Sequence, residues 1–118
     1  MSIDPAALDP YRDAMGDEAD SFVIDLIDTF LAGTQEIVVA LYTSISTDDA
    51  KLFVRSAHTL KSNSAIFGAQ VLSSMAFELE KAGKTDLLAT LLPKVDQLKV
   101  EYQQVCHELT DLRRGLSS

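Results

Sequence analysis

The sequence predicts an all-α fold, an up-down-up-down four-helix bundle with an additional short N-terminal helix. Apolar residues recur every three or four positions in four substantial stretches, as they do on one face of an α-helix. The connections between these stretches are short, which favours antiparallel neighbouring helices. No stretch alternates apolar and polar residues as a half-buried strand would. We interpret residues 1–118 as one domain.

The first two predicted helices are separated by a glycine. A short helix is expected over residues 5–15, where Pro10 interrupts it or starts it afresh. Gly16 then breaks the helical pattern. A long helix follows from Asp17 to about Ile45, and we expect Asp17 to cap it.

Glycines also mark the ends of the next two helices. The third helix is predicted to be capped by Thr47 and to end near Phe67, with Gly68 as its C-terminal stop. The fourth is predicted over residues 70–82, with Gly83 as its stop.

The fifth helix contains a proline inside its apolar stripe. We expect Thr85 to cap this helix, and its stripe extends from Leu88 to Leu112. A proline in a helix interior costs about 3 kcal/mol. Pro93 therefore predicts a kink or a restart.

The composition is that of an acidic globular protein. Hydrophobic residues make up 47% of the chain, yet no apolar run approaches the roughly 20 residues of a membrane span. The net charge of −8 argues against nucleic acids and anionic membranes as partners. The N-terminus lacks the features of a signal peptide, and Cys106 has no second cysteine to pair with. We expect a cytoplasmic monomer.

One helical strip carries the candidate functional residues. The segment from His58 reads HTLKSNSAIFGA. At 100° per residue, Lys61 lies about 60° around the helix from His58. Ser62 lies about 40° and Ala65 about 20° from the same histidine. A second strip has the spacing of core residues and comprises Phe53, Ala57, Leu60, Ser64 and Phe67.

This arrangement suits the carriage of a phosphoryl group. A neutral imidazole is a nucleophile that can hold a group covalently. Lys61, one turn away, supplies a positive charge to meet a phosphoryl group. Small residues beside His58 leave the imidazole uncovered, and no aspartate or glutamate within four residues is set to act as its base. The alternative is a surface histidine with no function.

Metal and nucleotide chemistry is not indicated by the sequence. Di-metal sites in helical bundles use Glu-x-x-His pairs, but Arg55 and Gln104 stand three residues before the two histidines. His107 beside Cys106 is a poor metal site, and there is no glycine-rich phosphate loop. We expect this chain to bind no metal and no cofactor.

The segment resembles the signature of histidine-phosphotransfer (HPt) domains, roughly H-x-L-K-G-S-S-x-x-x-G-A. The matching positions are His58, Leu60, Lys61, Ser64, Gly68 and Ala69. Similar features upstream and downstream extend the resemblance over nearly the whole chain. There are two departures: Ser62 stands where glycine is usual, and Asn63 stands where serine is usual.

The resemblance implies a phosphorelay carrier without kinase activity of its own. His58 would accept a phosphoryl group from the phospho-aspartate of one receiver domain and pass it to the aspartate of another response regulator. Lys61 would be its charge partner, with Ser62 and Gly68 in supporting positions. Glu80 matches a family position that hydrogen-bonds the imidazole; the alternative is a solvated acid at the end of the fourth helix.

The resemblance also implies the partners. These would be response-regulator receiver domains and a hybrid sensor histidine kinase, with the acidic pocket and Mg²⁺ supplied by the receiver. Two other functions stay open. One is a non-phosphorylated helical adaptor that binds a receiver domain, against which the intact His58 and Lys61 argue. The other is the substrate domain of a chemotaxis-type histidine kinase, which would normally be followed by further domains.

Overall fold

The structure, a computed structural model, describes residues 1–116 and consists there of helices and turns. Its α-helices are α1 Asp9–Met15, α2 Ala19–Ser46, α3 Ala50–Ala65, α4 Gln70–Ala82 and α5 Leu92–Arg114. Short 3₁₀ turns precede three of them, at Pro5–Leu8 before α1, Gly16–Glu18 before α2 and Leu88–Leu91 before α5.

Helices α2 to α5 form the bundle. Each packs against the next in the chain, α5 packs back on α2, and α1 lies against α2. The Cα trace is elongated, with extents of 49 × 21 × 20 Å. The predicted four-helix bundle with a short N-terminal helix is confirmed. None of the helices in residues 1–116 has the length and apolar character needed to cross a membrane.

Helix α3 buries the strip that has core spacing. All five of its predicted members are buried: Phe53, Ala57, Leu60, Ser64 and Phe67. The Ser64 hydroxyl donates a 2.7 Å hydrogen bond to the carbonyl of Leu60, so this buried polar group is satisfied within the helix. The opposite strip, which carries His58, therefore faces away from the core.

Three predicted caps are wrong. Asp49, not Thr47, caps α3 and accepts a 3.0 Å hydrogen bond from the amide of Leu52. The reason is that Thr47 lies in the turn that ends α2, where its hydroxyl donates to the carbonyl of Thr43. Asp17 lies in a 3₁₀ turn and makes no cap of α2.

Thr85 likewise does not cap the fifth helix. Its hydroxyl contacts the carboxylate of Asp86, and α5 starts only at Leu92. Pro93 lies in the first turn of α5, where its missing amide hydrogen has no helical partner to lose. The predicted restart at Pro93 is therefore confirmed. Pro10 starts α1 in the same way.

The turn between α3 and α4 is tied to the N-terminal segment. Helix α3 ends at Ala65, slightly earlier than predicted, and Gly68 follows with a φ of 63°. The amide of Asp4 donates a 2.9 Å hydrogen bond to the carbonyl of Phe67. A Cβ atom on Gly68 would lie 2.7 Å from the Cβ of Asp4. This position therefore requires glycine for its backbone conformation and for its close packing.

Replacement of Gly68 by alanine tests this requirement. We expect Gly68→Ala to lower the free energy of unfolding by about 1–3 kcal/mol, because the side chain strains the backbone and meets Asp4. Gly33→Ala in α2 is the control, since an added Cβ there meets nothing within 4 Å. It should instead stabilise by about 0.5–1 kcal/mol. Urea unfolding measures both free-energy changes. Equal effects of the two substitutions would contradict the requirement for glycine at position 68.

Candidate functional site

The site begins with two side chains on the exposed strip of α3. The His58 side chain is 58% exposed, and that of Lys61, one turn later, is 28% exposed. Their backbone positions are held by a helix whose other side is buried in the core. The structure therefore places this pair where the spacing predicted, beside the core and open to solvent.

Glu80 of α4 joins these two side chains. Its Oε2 lies 2.9 Å from His58 Nδ1, and its Oε1 lies 2.9 Å from Lys61 Nζ. The Glu80 side chain is only 12% exposed. Because α4 follows α3 through a short turn and packs along it, residue 80 lies opposite residues 58 and 61. Both oxygens of one carboxylate are thus used.

The charge on Glu80 determines which tautomer His58 adopts. The hydrogen bond from Lys61 lowers the pKa of Glu80 below its ordinary value of 4.5, against a smaller opposing effect of burial, and the hydrogen bond to His58 lowers it further. The carboxylate is therefore ionised at neutral pH and can only accept hydrogen bonds. The neutral imidazole must then carry its hydrogen on Nδ1, which leaves the lone pair on Nε2.

No aspartate or glutamate lies within four residues of His58 along the chain, as the sequence shows. In the fold, α4 supplies the carboxylate of Glu80 from 22 residues away. Of the two interpretations of Glu80, the geometry agrees with the imidazole contact rather than a solvated acid.

The two remaining predicted residues lie at different distances from the imidazole. Ser62 is exposed one turn after His58, and its hydroxyl donates a 3.2 Å hydrogen bond to the His58 carbonyl. Gly68 lies ten residues after His58, in the turn that packs on Asp4 and Ala7. Gly68 therefore supports the site by positioning α4 relative to α3 and not by contact with the imidazole.

Sequence analysis did not single out several residues around the site. Two cations approach the exposed ring of Phe77, with Lys61 Nζ at 4.9 Å and Lys81 Nζ at 4.5 Å from its centroid. On the other side of Glu80, Lys51 and Arg55 line a groove with His58. Positions 51, 55 and 58 have the spacing of one helical face, so the sequence carried this signal.

The second histidine and the cysteine lie away from this site. His107 is exposed and contacts Asp111 at 3.4 Å on α5. Cys106 is half-buried, and burial raises the pKa of its thiol. Within residues 1–116, no three His, Cys, Asp or Glu side chains are grouped so that they could hold a metal ion.

Comparison with known proteins gives the family. The model of the Hpt domain family matches residues 25–115. The chain is 25% identical over 94 residues to the phosphorelay intermediate protein rdeA of Dictyostelium discoideum. That match covers 80% of this chain but only 37% of the relative, so the chain spans little more than a third of the relative's length.

A solved structure shows the same fold. The histidine-containing phosphotransfer protein B (HptB) of Pseudomonas aeruginosa PAO1 superposes with a TM-score of 0.84. The match covers 98% of this chain and 97% of that protein, at 24% sequence identity. The chain belongs to the Hpt domain family, as the resemblance in its sequence indicated.

Replacement of Glu80 tests its link to α3. Glu80→Gln should lower the free energy of unfolding at neutral pH by roughly 0.5–1.5 kcal/mol, because it removes a charged acceptor shared by two donors. The pKa of Glu80 is lower in the folded chain, so its stabilisation is complete above about pH 4.5 and is lost as the pH falls through the folded value. The difference in free energy of unfolding between the wild type and Glu80→Gln should therefore decrease at acidic pH.

The control is Glu78→Gln, which removes an exposed ion pair with Lys81 on the same helix. It should cost no more than about 0.5 kcal/mol. Urea unfolding over a range of pH measures all three proteins. A Glu80→Gln cost no larger than that of the control would show that the bridge adds nothing to stability.

Proposed function

We propose that the chain is a phosphorelay carrier and that His58 Nε2 is the atom that holds the phosphoryl group. The observation that carries this proposal is the orientation of His58. Its Nδ1 is hydrogen-bonded to Glu80, and more than half of its side chain is exposed. Membership of the Hpt domain family supports the same conclusion.

The transfer is a displacement at phosphorus. The Nε2 lone pair attacks the phosphorus of an aspartyl phosphate on a receiver domain, and an N–P bond forms. The P–O bond to the aspartate breaks, and its electron pair leaves with the carboxylate. The imidazole gains positive charge as the bond forms, and the ionised Glu80 at 2.9 Å from Nδ1 stabilises that charge. Transfer to a second receiver is the reverse reaction.

Lys61 neutralises the transferred group. Its ammonium has three donors, and one of them is directed at Glu80. The other two remain for phosphoryl oxygens near His58. Glu80 thus holds this charge within one helical turn of the nucleophile, which reduces the freedom that the lysine side chain must lose on transfer.

The receiver partner contributes what this chain lacks. We propose that its acidic pocket and Mg²⁺ activate the aspartyl phosphate, and that this chain supplies an imidazole, an ammonium and an oriented carboxylate. Phosphoryl transfer depends mainly on positioning and charge neutralisation. The donor would be the receiver domain of a hybrid sensor kinase, and the acceptor that of a response regulator.

Labelling of a substituted protein tests the proposal. Incubation with a panel of phosphorylated receiver domains should transfer label to the wild-type chain, and the label should be stable to alkali and labile to acid, as expected of an N–P bond. His58→Gln should abolish it while the helical circular dichroism is retained. His107→Gln, which changes the other histidine, should be labelled as the wild type is.

Two results would contradict the proposal. Undiminished label on His58→Gln would place the phosphoryl group elsewhere. A wild-type chain that binds receivers and takes no label from them would be the non-phosphorylated adaptor.

Ser62 tests the direction from which a receiver approaches. Its hydroxyl already donates to the His58 carbonyl, so we expect Ser62→Ala to change transfer rates less than about tenfold, or about 1.4 kcal/mol. Ser62→Gln places bulk beside the imidazole and should block receiver docking far more severely. A glutamine at Val100, which is 68% exposed on α5, is the control. Competition binding with a receiver measures the effect, and normal binding by Ser62→Gln would exclude an approach across this strip.

A further inference from the structure

An open groove extends from His58 towards the start of α3. Its volume is about 500 Å³, and it lies between α3 and the end of α4. The residues that line it are Ala50, Lys51, Val54, Arg55, His58, Glu80, Gly83 and Lys84. The lining thus combines the small or apolar residues Ala50, Val54 and Gly83 with the candidate nucleophile and three cations.

The groove exists because α4 ends close to α3. A Cβ atom on Gly83 would lie 2.6 Å from the ring of Phe53 and 3.1 Å from Val54. Only a glycine permits this approach without movement of the buried ring. The chain then turns away after α4, and Lys84 is left at the groove opposite Lys51 and Arg55.

The three cations have no acidic partner in the described part of the chain. Lys51, Arg55 and Lys84 are all exposed, and no carboxylate of residues 1–116 lies within ion-pair distance of them. The one acid that lines the groove is Glu80, which is bound to Lys61. Asp49, just before the groove, caps α3.

This local charge is opposite to that of the whole protein. The chain carries 18 acidic and 10 basic residues. The three arginines away from the groove are each paired with an aspartate, in the pairs Arg12–Asp20, Arg113–Asp28 and Arg114–Asp111. Lys94 and Lys99 on α5 also make no ion pair within residues 1–116, but the groove is where three such cations line one surface.

We propose that this groove, lined by Lys51, Arg55 and Lys84, is the part of the docking surface that selects receiver domains with acidic side chains on their docking face outside the acidic pocket. The inference rests on the proposed function and names the chemistry of the partner. A small apolar side chain of the receiver fits against Ala50, Val54 and Gly83, and acidic side chains beside it meet the three cations. A receiver with basic or neutral residues there is selected against.

The groove cations affect the association with a receiver domain more than the phosphoryl-transfer step. Charges at the rim of an interface steer association and set register, and their effect falls as salt screens them. Lys51 and Arg55 lie seven and three residues before His58 on the same helical face. A receiver oriented by these two residues therefore has its reacting aspartate aligned with the imidazole.

Charge reversal tests the groove. The single variants Lys51→Glu, Arg55→Glu and Lys84→Glu are each compared with Lys99→Glu, an equal charge change in the groove between α2 and α5. The three substitutions are also combined in a triple variant. The probe is a receiver domain that labels the wild-type chain. The triple variant should accept phosphate from it about 10–100-fold more slowly at low salt. The difference in transfer rate between the triple variant and the wild type should decrease as the ionic strength rises from about 0.01 M to about 1 M.

A second measurement separates docking from chemistry. Phosphoramidate, a small donor that needs no docking surface, should label the triple variant at nearly the wild-type rate. If the triple variant loses as much labelling from this donor as from the receiver, the effect lies at His58, and the proposed docking role of the groove is wrong. That role is also wrong if the triple variant takes phosphate from the receiver like the wild type, or if the Lys99→Glu control is as slow as the single groove variants. If no receiver labels the wild-type chain, the proposed function itself fails.

Discussion

The candidate site depends on one carboxylate that bridges two side chains across two helices. Glu80 accepts hydrogen bonds from His58 and Lys61 through its two oxygens. Without it, the imidazole would be free to rotate and to exchange tautomers, and the ammonium would move with the lysine side chain. With it, the His58 imidazole and the Lys61 ammonium have defined positions.

That bridge requires a defined packing of α4 on α3. Two glycines make this packing possible. Gly68 permits the turn between the helices, with a φ of 63°, and Gly83 lets the end of α4 approach Phe53. A further hydrogen bond, from the Ser73 hydroxyl to the Lys61 carbonyl at 3.0 Å, joins the two helices beside the site. The N-terminal segment in turn holds the turn at Gly68 through Asp4.

The two faces of helix α3 have different roles: one packs in the core, and the other carries the candidate site. Its buried face is closed against the core, where the Ser64 hydroxyl is bonded within the helix. Its exposed face carries His58 and the cations Lys51 and Arg55. Because a helix presents these faces about half a turn apart, the exposed residues can change partner preference with little effect on the core. The departure from the family signature at Ser62 lies on this exposed face.

The sequence by itself determined the helical class and the strip that carries His58, because both are set by the local period of 3.6 residues. The antiparallel order of the bundle followed from the short connections between the helices. The match to the HPt signature likewise depends only on residues close in the chain. Helix caps were less predictable: Thr47, Asp17 and Thr85 each have a residue type that caps helices, and the local turn used other partners.

Only the tertiary structure decided what His58 contacts. Nothing in the residues near it requires a carboxylate at hydrogen-bond distance, and Glu80 reaches it through the packing of α4 on α3. The groove beside it has the same origin, since Lys84 joins Lys51 and Arg55 only where α4 ends against α3. Local periodicity assigns a residue to a face of its own helix, but the distance between atoms on two helices depends on their turn, their register and how closely their backbones approach.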